Sequence, residues 1–303
     1  MIPHDTKEWL LHIFNLRRSD TLRTLMPVIL ALSVYAAFIV YLIDDFFHLP
    51  DNSPLKNVSL VHTLLGFVIS MLLVFRTNTA YDRWWEGRKL WGSLVNNSRN
   101  LALKVNQLLG PEHAESREFF AAMIPNFAFA LKNHLRGDFH EKEFTETRLF
   151  KLNQLHRKEH IPGQIASAIF GRVSELQRQG ILLPEHMLVL NVELQGFMDI
   201  CGACERIHNT PIPFSYSSFI KKFIFIYCIT IPLGYAYVME YFAVGLCVFV
   251  FYVLASLEVI AEEIEDPFGT DANDLPAENI CNNIHKSVNL LLTSQPPVDK
   301  TSI

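Results

Sequence analysis

Residues 57 to 92 read Asn57-Val-Ser-Leu-Val-His-Thr-Leu-Leu-Gly-Phe-Val-Ile-Ser-Met-Leu-Leu-Val-Phe75 and then Arg76-Thr-Asn-Thr-Ala-Tyr-Asp-Arg-Trp-Trp-Glu-Gly-Arg-Lys-Leu-Trp-Gly92. From Asn57 to Phe75 there is no Asp, Glu, Lys or Arg. A helix of that length crosses roughly 30 Å of hydrocarbon. The charged continuation places Trp84, Trp91, Leu94 and Leu101 on one face at helical spacing, so the same helix is expected to leave the membrane and run on beyond it.

Working outward, Thr24 to Ile43 is equally free of charge, as are Phe223 to Met239 and Tyr241 to Leu257. Only Glu240 separates the last two runs, which predicts a tight outer hairpin. One buried core helix could imitate such a run, whereas four in one chain favour membrane spans. Basic residues set the orientation. Arg17, Arg18 and Arg23 precede the first run, Arg76, Arg83, Arg88 and Lys89 follow the second, and Lys221 and Lys222 precede the third. The loop after the first run carries Asp44, Asp45 and Asp51 against Lys56. The expectation is an all-α membrane protein with four transmembrane helices, a large helical cytoplasmic region and both termini cytoplasmic, multi-pass in the cell inner (plasma) membrane. Its segments are a cytoplasmic N-terminal segment (1–23), a first hairpin (24–75), a helical cytoplasmic domain (76–220), a second hairpin (221–257), and an acidic turn with a C-terminal helix (258–303). The acidic end of the fourth run, Glu258 to Asp266, departs from the positive-inside pattern and asks for another explanation.

The 303 residues are 50% hydrophobic, with 23 Phe against 13 Gly, which suits a packed helical protein rather than a disordered or fibrous one. A net charge of -5 with dispersed Lys and Arg excludes a nucleic-acid face. The five cysteines form no closely spaced framework and read as reduced thiols. Asp5, Lys7 and Glu8 precede only a short apolar stretch, so no signal peptide is read and the first membrane helix is expected to target the chain.

In the middle region Pro184 is placed to start a helix, followed by a stripe of Leu190, Leu194, Phe197, Cys201, Cys204 and His208. Cys201-Gly-Ala-Cys204 resembles half of a zinc or redox motif, but no second Cys-x-x-Cys completes four ligands, so both thiols read as core. No phosphate loop, nucleophile elbow or His-Glu-x-x-His motif is present. His62, inside the second run, reads as an interfacial residue with a polar partner.

Two further segments narrow the reading. The stretch from Phe75 to Gly92 and the carboxylate-rich Ala261-Glu-Glu-Ile-Glu-Asp-Pro-Phe-Gly-Thr-Asp-Ala-Asn-Asp-Leu-Pro276, together with Cys204-Glu-Arg and Thr210-Pro-Ile-Pro-Phe214, resemble the bestrophin family, particularly its short prokaryotic members. The resemblance covers nearly the whole chain. It implies a bestrophin-like pentameric channel, a homopentamer in the lipid bilayer whose second membrane helices line a central pore with a hydrophobic neck. Phe67, Met71 and Phe75 recur every four residues on one face, with Gly66 and Ser70 small at the side, and by resemblance those three form the neck. Five-fold apolar rings gate by dewetting and coordinate no ion. The competing reading is that they face lipid or neighbouring helices.

The resemblance also implies a cytoplasmic constriction near Glu185. A ring of five carboxylates there would favour cations, whereas a first-turn Glu merely stabilises its helix. Eukaryotic members clasp calcium in the turn matched by Glu263, Asp266, Asp271 and Asp274, whose oxygens suit a hard cation. Asp274 alternatively reads as the N-cap of a helix bearing Ile280, Ile284, Val288 and Leu291. No cofactor is required on this reading, Ca2+ at the acidic turn being the one ion the resemblance brings forward.

The expected function is a pore-forming ion channel passing monovalent ions, either chloride or sodium and potassium, with no enzyme activity. The alternatives are a membrane-anchored metal-dependent enzyme using the carboxylates between 262 and 274, and a non-conducting scaffold.

Overall fold

The protein is described by a computed structural model over residues 20–46 and 58–293. Arg17, Arg18, Asp51 and Lys56, used above for orientation, lie outside the described residues. Among those described, every regular element is helical. The long helices are α1 (Asp20–Tyr41), α2 (Val58–Leu108), α3 (Ala114–Arg136), α4 (Ile161–Arg178), α5 (Pro184–Asn209), α6 (Phe214–Met239), α7 (Phe242–Glu265) and α8 (Ala277–Thr293). A π-helical turn, Leu42–Phe46, extends α1. The charged sequence after Phe75 does continue the same helix, which ends only at Leu108.

The chain divides into two compact units. One contains α1, α2 through Arg83, α6 and α7; the other contains α2 from Trp84 onward, α3, α4, α5 and α8. In the first, Leu25, Leu32, Ile69, Leu73, Ile220, Ile224, Cys228 and Phe251 share one apolar core. α6 and α7 are joined at Glu240, whose positive φ of 49° makes the reversal tight, as the single intervening charge predicts.

In the second unit α3 is the central helix. Phe119, Phe120, Met123, Ile124, Phe127, Ala128 and Leu131 are buried on several sides of it, the pattern of a helix enclosed by others. It stops at Gly137, φ 68°, whose N–H and that of Asp138 return to His134 and Asn133 carbonyls. α5 begins at Pro184, where a missing N–H is harmless. Its stripe buries Leu190, Leu194, Phe197, Cys201 and Cys204, but His208 is exposed and Ile207 takes the inward position, because the buried face follows a period of 3.6 residues. Lys132 on α3 reaches Glu143 and, on α8, Glu278, both at 2.5 Å.

Length and composition alone admit five membrane-crossing helices among the described residues, the four expected plus α5. α5 carries Glu193, Asp199 and Glu205 along its length, and Glu193 pairs with Lys104 at 2.6 Å.

Candidate functional site

The exposed face of α2 is built by helical spacing. His62, Ile69, Leu73, Arg76 and Ala80 all turn inward at steps of three, four and seven residues. Phe67, Met71 and Phe75 consequently turn outward and are 69%, 50% and 53% exposed, with Leu60 and Leu64 on the same side. Large apolar side chains on such a face require a covering of lipid or of other protein chains.

The inward face is fixed by specific contacts. His62 Nε2 lies 2.9 Å from Thr230 Oγ1 and 3.3 Å from the Tyr227 carbonyl, so the ring has partners on α6. At Gly66 the helices approach so closely that an added Cβ would stand 2.8 Å from Tyr227 Oη. Ser70 turns its hydroxyl back onto the Gly66 carbonyl at 2.7 Å.

One residue past Phe75, the buried guanidinium of Arg76 lies 2.7 Å from Glu265 Oε2 and 3.6 Å from Glu258 Oε2. Ser217 donates to the other oxygen of Glu258, and Glu265 Oε1 accepts the N–H of Ile212. Lys221 holds Glu262 at 2.8 Å, and Arg83 donates to the Glu265 carbonyl at 2.9 Å. The acidic end of α7 is thus a set of counter-ions for α2 and α6. Its spacing carried the signal, since Glu258, Glu262 and Glu265 fall on one helical face, but nothing local named Arg76 as the partner.

Glu185 is exposed in the first turn of α5, where a carboxylate favours the helix N-terminus, and Leu188 and Val192 are exposed on the same side. The four expected calcium ligands do not fall in one unit. Glu263 and Asp266 close the unit containing α7, whereas Asp271 and Asp274 belong to the other. There, buried Asp274 accepts the N–H of Asp271 at 2.6 Å, and Leu275 donates to the Pro267 carbonyl at 2.9 Å. α8 starts only at Ala277, so Asp274 closes this turn rather than capping α8. Trp84 Nε1 donates to the Asn273 carbonyl, and Arg136 to that of Phe268, so the turn is tied down by protein groups. A calcium cage takes six to eight oxygens. Asp274 spends one of its oxygens on its own turn.

Cys201 and Cys204 are both fully buried, and desolvation, with Glu205 adding to it, pushes each thiol up to about 12. Such thiols stay protonated at neutral pH and are weak nucleophiles. A group missed entirely by reading the sequence is His134, His160 and Glu205, which three separate helices bring together.

A family model described as Bacterial/Fungal Bestrophin protein matches residues 1–290. The chain belongs to the bestrophin family. This bestrophin is 35% identical over 253 residues to a voltage-dependent anion channel-forming protein of Nostoc sp., covering 81% of each chain. It is 32% identical to proteins of the same description from Mesorhizobium japonicum and Escherichia coli, covering 95% and 94% of this chain and 91% of each relative. Among solved structures it resembles a bacterial Bestrophin homolog from Klebsiella pneumoniae, with a TM-score of 0.76 at 25% identity over 88% of this chain and 98% of that one. A second crystal structure, described only as that of a membrane protein carrying a single substitution, aligns with a TM-score of 0.79 at 25% identity, covering 90% of this chain and 100% of that one. The bestrophin is accordingly an all-helical membrane protein and a channel, not an enzyme.

Proposed function

We propose that this bestrophin assembles as a homopentamer in the cell inner membrane, both termini cytoplasmic, and passes small monovalent anions through a pore lined by five copies of α2. The observation that carries the reading is the two-sided character of α2. One face is sealed by His62, Ile69, Leu73 and Arg76, while Phe67, Met71 and Phe75 project from the other, each at least half exposed. Five copies around an axis would meet as stacked apolar rings, a neck that controls wetting rather than coordinating ions. On this reading α5 stays out of the bilayer, because it carries Glu193, Asp199 and Glu205 within its length.

The anion assignment is supported by the description of the relatives from Nostoc sp., Mesorhizobium japonicum and Escherichia coli as anion channel-forming proteins. A cation-selective pore is the second reading, favoured by one observation: Glu185 is exposed beside Leu188 and Val192, and five copies facing an axis would concentrate negative charge. The reversal potential of purified protein in a planar bilayer under a KCl gradient, with calcium chelated and then restored, separates the two. A shift toward the chloride equilibrium potential supports the anion channel, a shift toward potassium replaces it with the second reading, and silence in both conditions removes the channel proposal.

A further inference from the structure

We propose that His134, His160 and Glu205 form a binding site for one divalent transition-metal ion of the zinc class. His134 sits in the last turn of α3, His160 at the N-cap of α4 and Glu205 on α5. Their ligand atoms all lie within 4.8 Å of one another. The Nε2 atoms of the two histidines stand 2.7 Å and 2.8 Å from the same Glu205 Oε1, and the rings meet nearly at right angles, 85°, with centroids 4.7 Å apart. Two imidazole edges and a carboxylate therefore converge on one point. Around a tetrahedral ion with bonds of about 2.0 Å the ligand atoms would stand about 3.3 Å apart, so an ion enters after an opening of roughly half an ångström. Two His and one Glu, with a water in the fourth position, are a known zinc ligand set, and imidazole selects against calcium and magnesium.

A cavity of about 230 Å³ reaches His134. His134, Asn133, Asp138 and Glu159 line it, and Asn133 Oδ1 is buried there without a hydrogen-bond partner. Arg157, on the same wall, is paired with Glu141. Cys201 Sγ lies 3.7 Å from His160 Nε2 on the buried side.

The metal-free arrangement also sets the limit on affinity. Gly163 N–H donates to His160 Nδ1 at 3.0 Å, so the neutral ring carries its proton on Nε2 and gives it to Glu205. Ligation through Nε2 transfers that proton, through solvent, to Nδ1 and breaks the cap bond with Gly163. Binding is therefore weaker than at a histidine backed by a carboxylate, and it falls away in acid as the rings take up a second proton.

The test uses the full-length protein in detergent, stripped with a chelator and titrated with Co2+ by visible absorption and with Zn2+ by calorimetry. The expected result is one ion per chain and the spectrum of four-coordinate cobalt, with affinity reduced roughly 100-fold in His134→Gln, Glu205→Gln and His160→Asn. Asn at 160 retains an N-cap acceptor. Zn2+ should raise the wild-type melting temperature and leave those of the variants unmoved. Absence of binding, or equal binding by wild type and variants, overturns the site. Should the variants fail to fold, X-ray absorption at the zinc edge of the wild type decides: two imidazoles with oxygen support the site, and any other shell overturns it.

Discussion

Arg76 and Glu265 lie 2.7 Å apart, with the Arg76 side chain only 1% exposed, one residue after the last of the three outward apolar side chains of α2. The geometry of that outward face depends on this pairing, because Arg76 is the polar tether that fixes the rotation of α2 against α6 and α7.

Replacing Arg76 by Met removes the buried counter-charge that Glu258 and Glu265 share. Breaking a buried pair in this way costs about 3–5 kcal/mol. The expected outcome is a clear fall in melting temperature in detergent and a loss of folded assembly by size-exclusion chromatography. Arg76→Met combined with Glu258→Gln and Glu265→Gln should recover part of the loss.

Phe67→Ala, Met71→Ala and Phe75→Ala remove side chains that are at least half exposed in their own chain, so each should change stability by less than about 1 kcal/mol. Single-channel recording should show conductance rising, most of all in the triple variant. Unchanged conductance would assign the three residues to lipid.

Glu185→Gln separates the two ion readings at a single position. Under an anion channel the reversal potential in a KCl gradient stays within a few millivolts of wild type, apart from a small gain in anion preference. A large displacement away from the potassium potential would show that the carboxylates had been drawing in cations.

At the acidic turn, Asp274→Ala removes the acceptor for the Asp271 N–H and should lower stability by about 1–3 kcal/mol. Because the turn closes on protein groups, the fall in melting temperature should be the same in chelator as in calcium, and wild-type conductance should not respond to calcium.

The pH dependence follows from the buried thiols. Cys201 and Cys204 ionise near 12 in the folded chain and near their ordinary value once unfolded. The unfolded state therefore holds fewer protons between about pH 9 and 12. Stability is fully present below that window and is lost as pH rises through it, by up to about 1.4 kcal/mol per pH unit for each thiol. Lys132 acts in the same direction. Burial opposes its charge, but hydrogen bonds to Glu143 and Glu278 outweigh that and raise it, so its contribution is complete at neutral pH and disappears only under strong alkali. Melting curves at pH 7 and pH 10 for wild type and for Cys201→Ala with Cys204→Ala should show the alkaline decline shallower in the variant.

The helical architecture was legible because hydrophobic length is a local property. The runs ending at Ile43, Phe75, Met239 and Leu257 can each be read without reference to any other. Pro184 and Gly137 mark helix ends by their own backbone chemistry. The stripe through Leu190 and Cys204 was readable by the same rule and failed only at its end, where Ile207 rather than His208 completes the face. Polar constellations are different. Arg76 meets Glu258 and Glu265 only after α7 has folded back along α2, and His134, His160 and Glu205 come from three helices with no spacing in common. Asp274 misled for a related reason: an Asp before Leu-Pro looks like a cap, yet its oxygen was already taken by a backbone N–H three residues earlier.

The contact at Gly66 bears on how such a chain can change over generations. Any side chain at position 66 must contend with the Tyr227 hydroxyl standing 2.8 Å from the first added carbon, and that hydroxyl is itself 3.4 Å from the His62 carbonyl. The two positions are therefore expected to change together. A lineage that trades the glycine for a larger residue is expected to trim the tyrosine as well, and a survey of such double exchanges would trace how α2 and α6 keep their spacing.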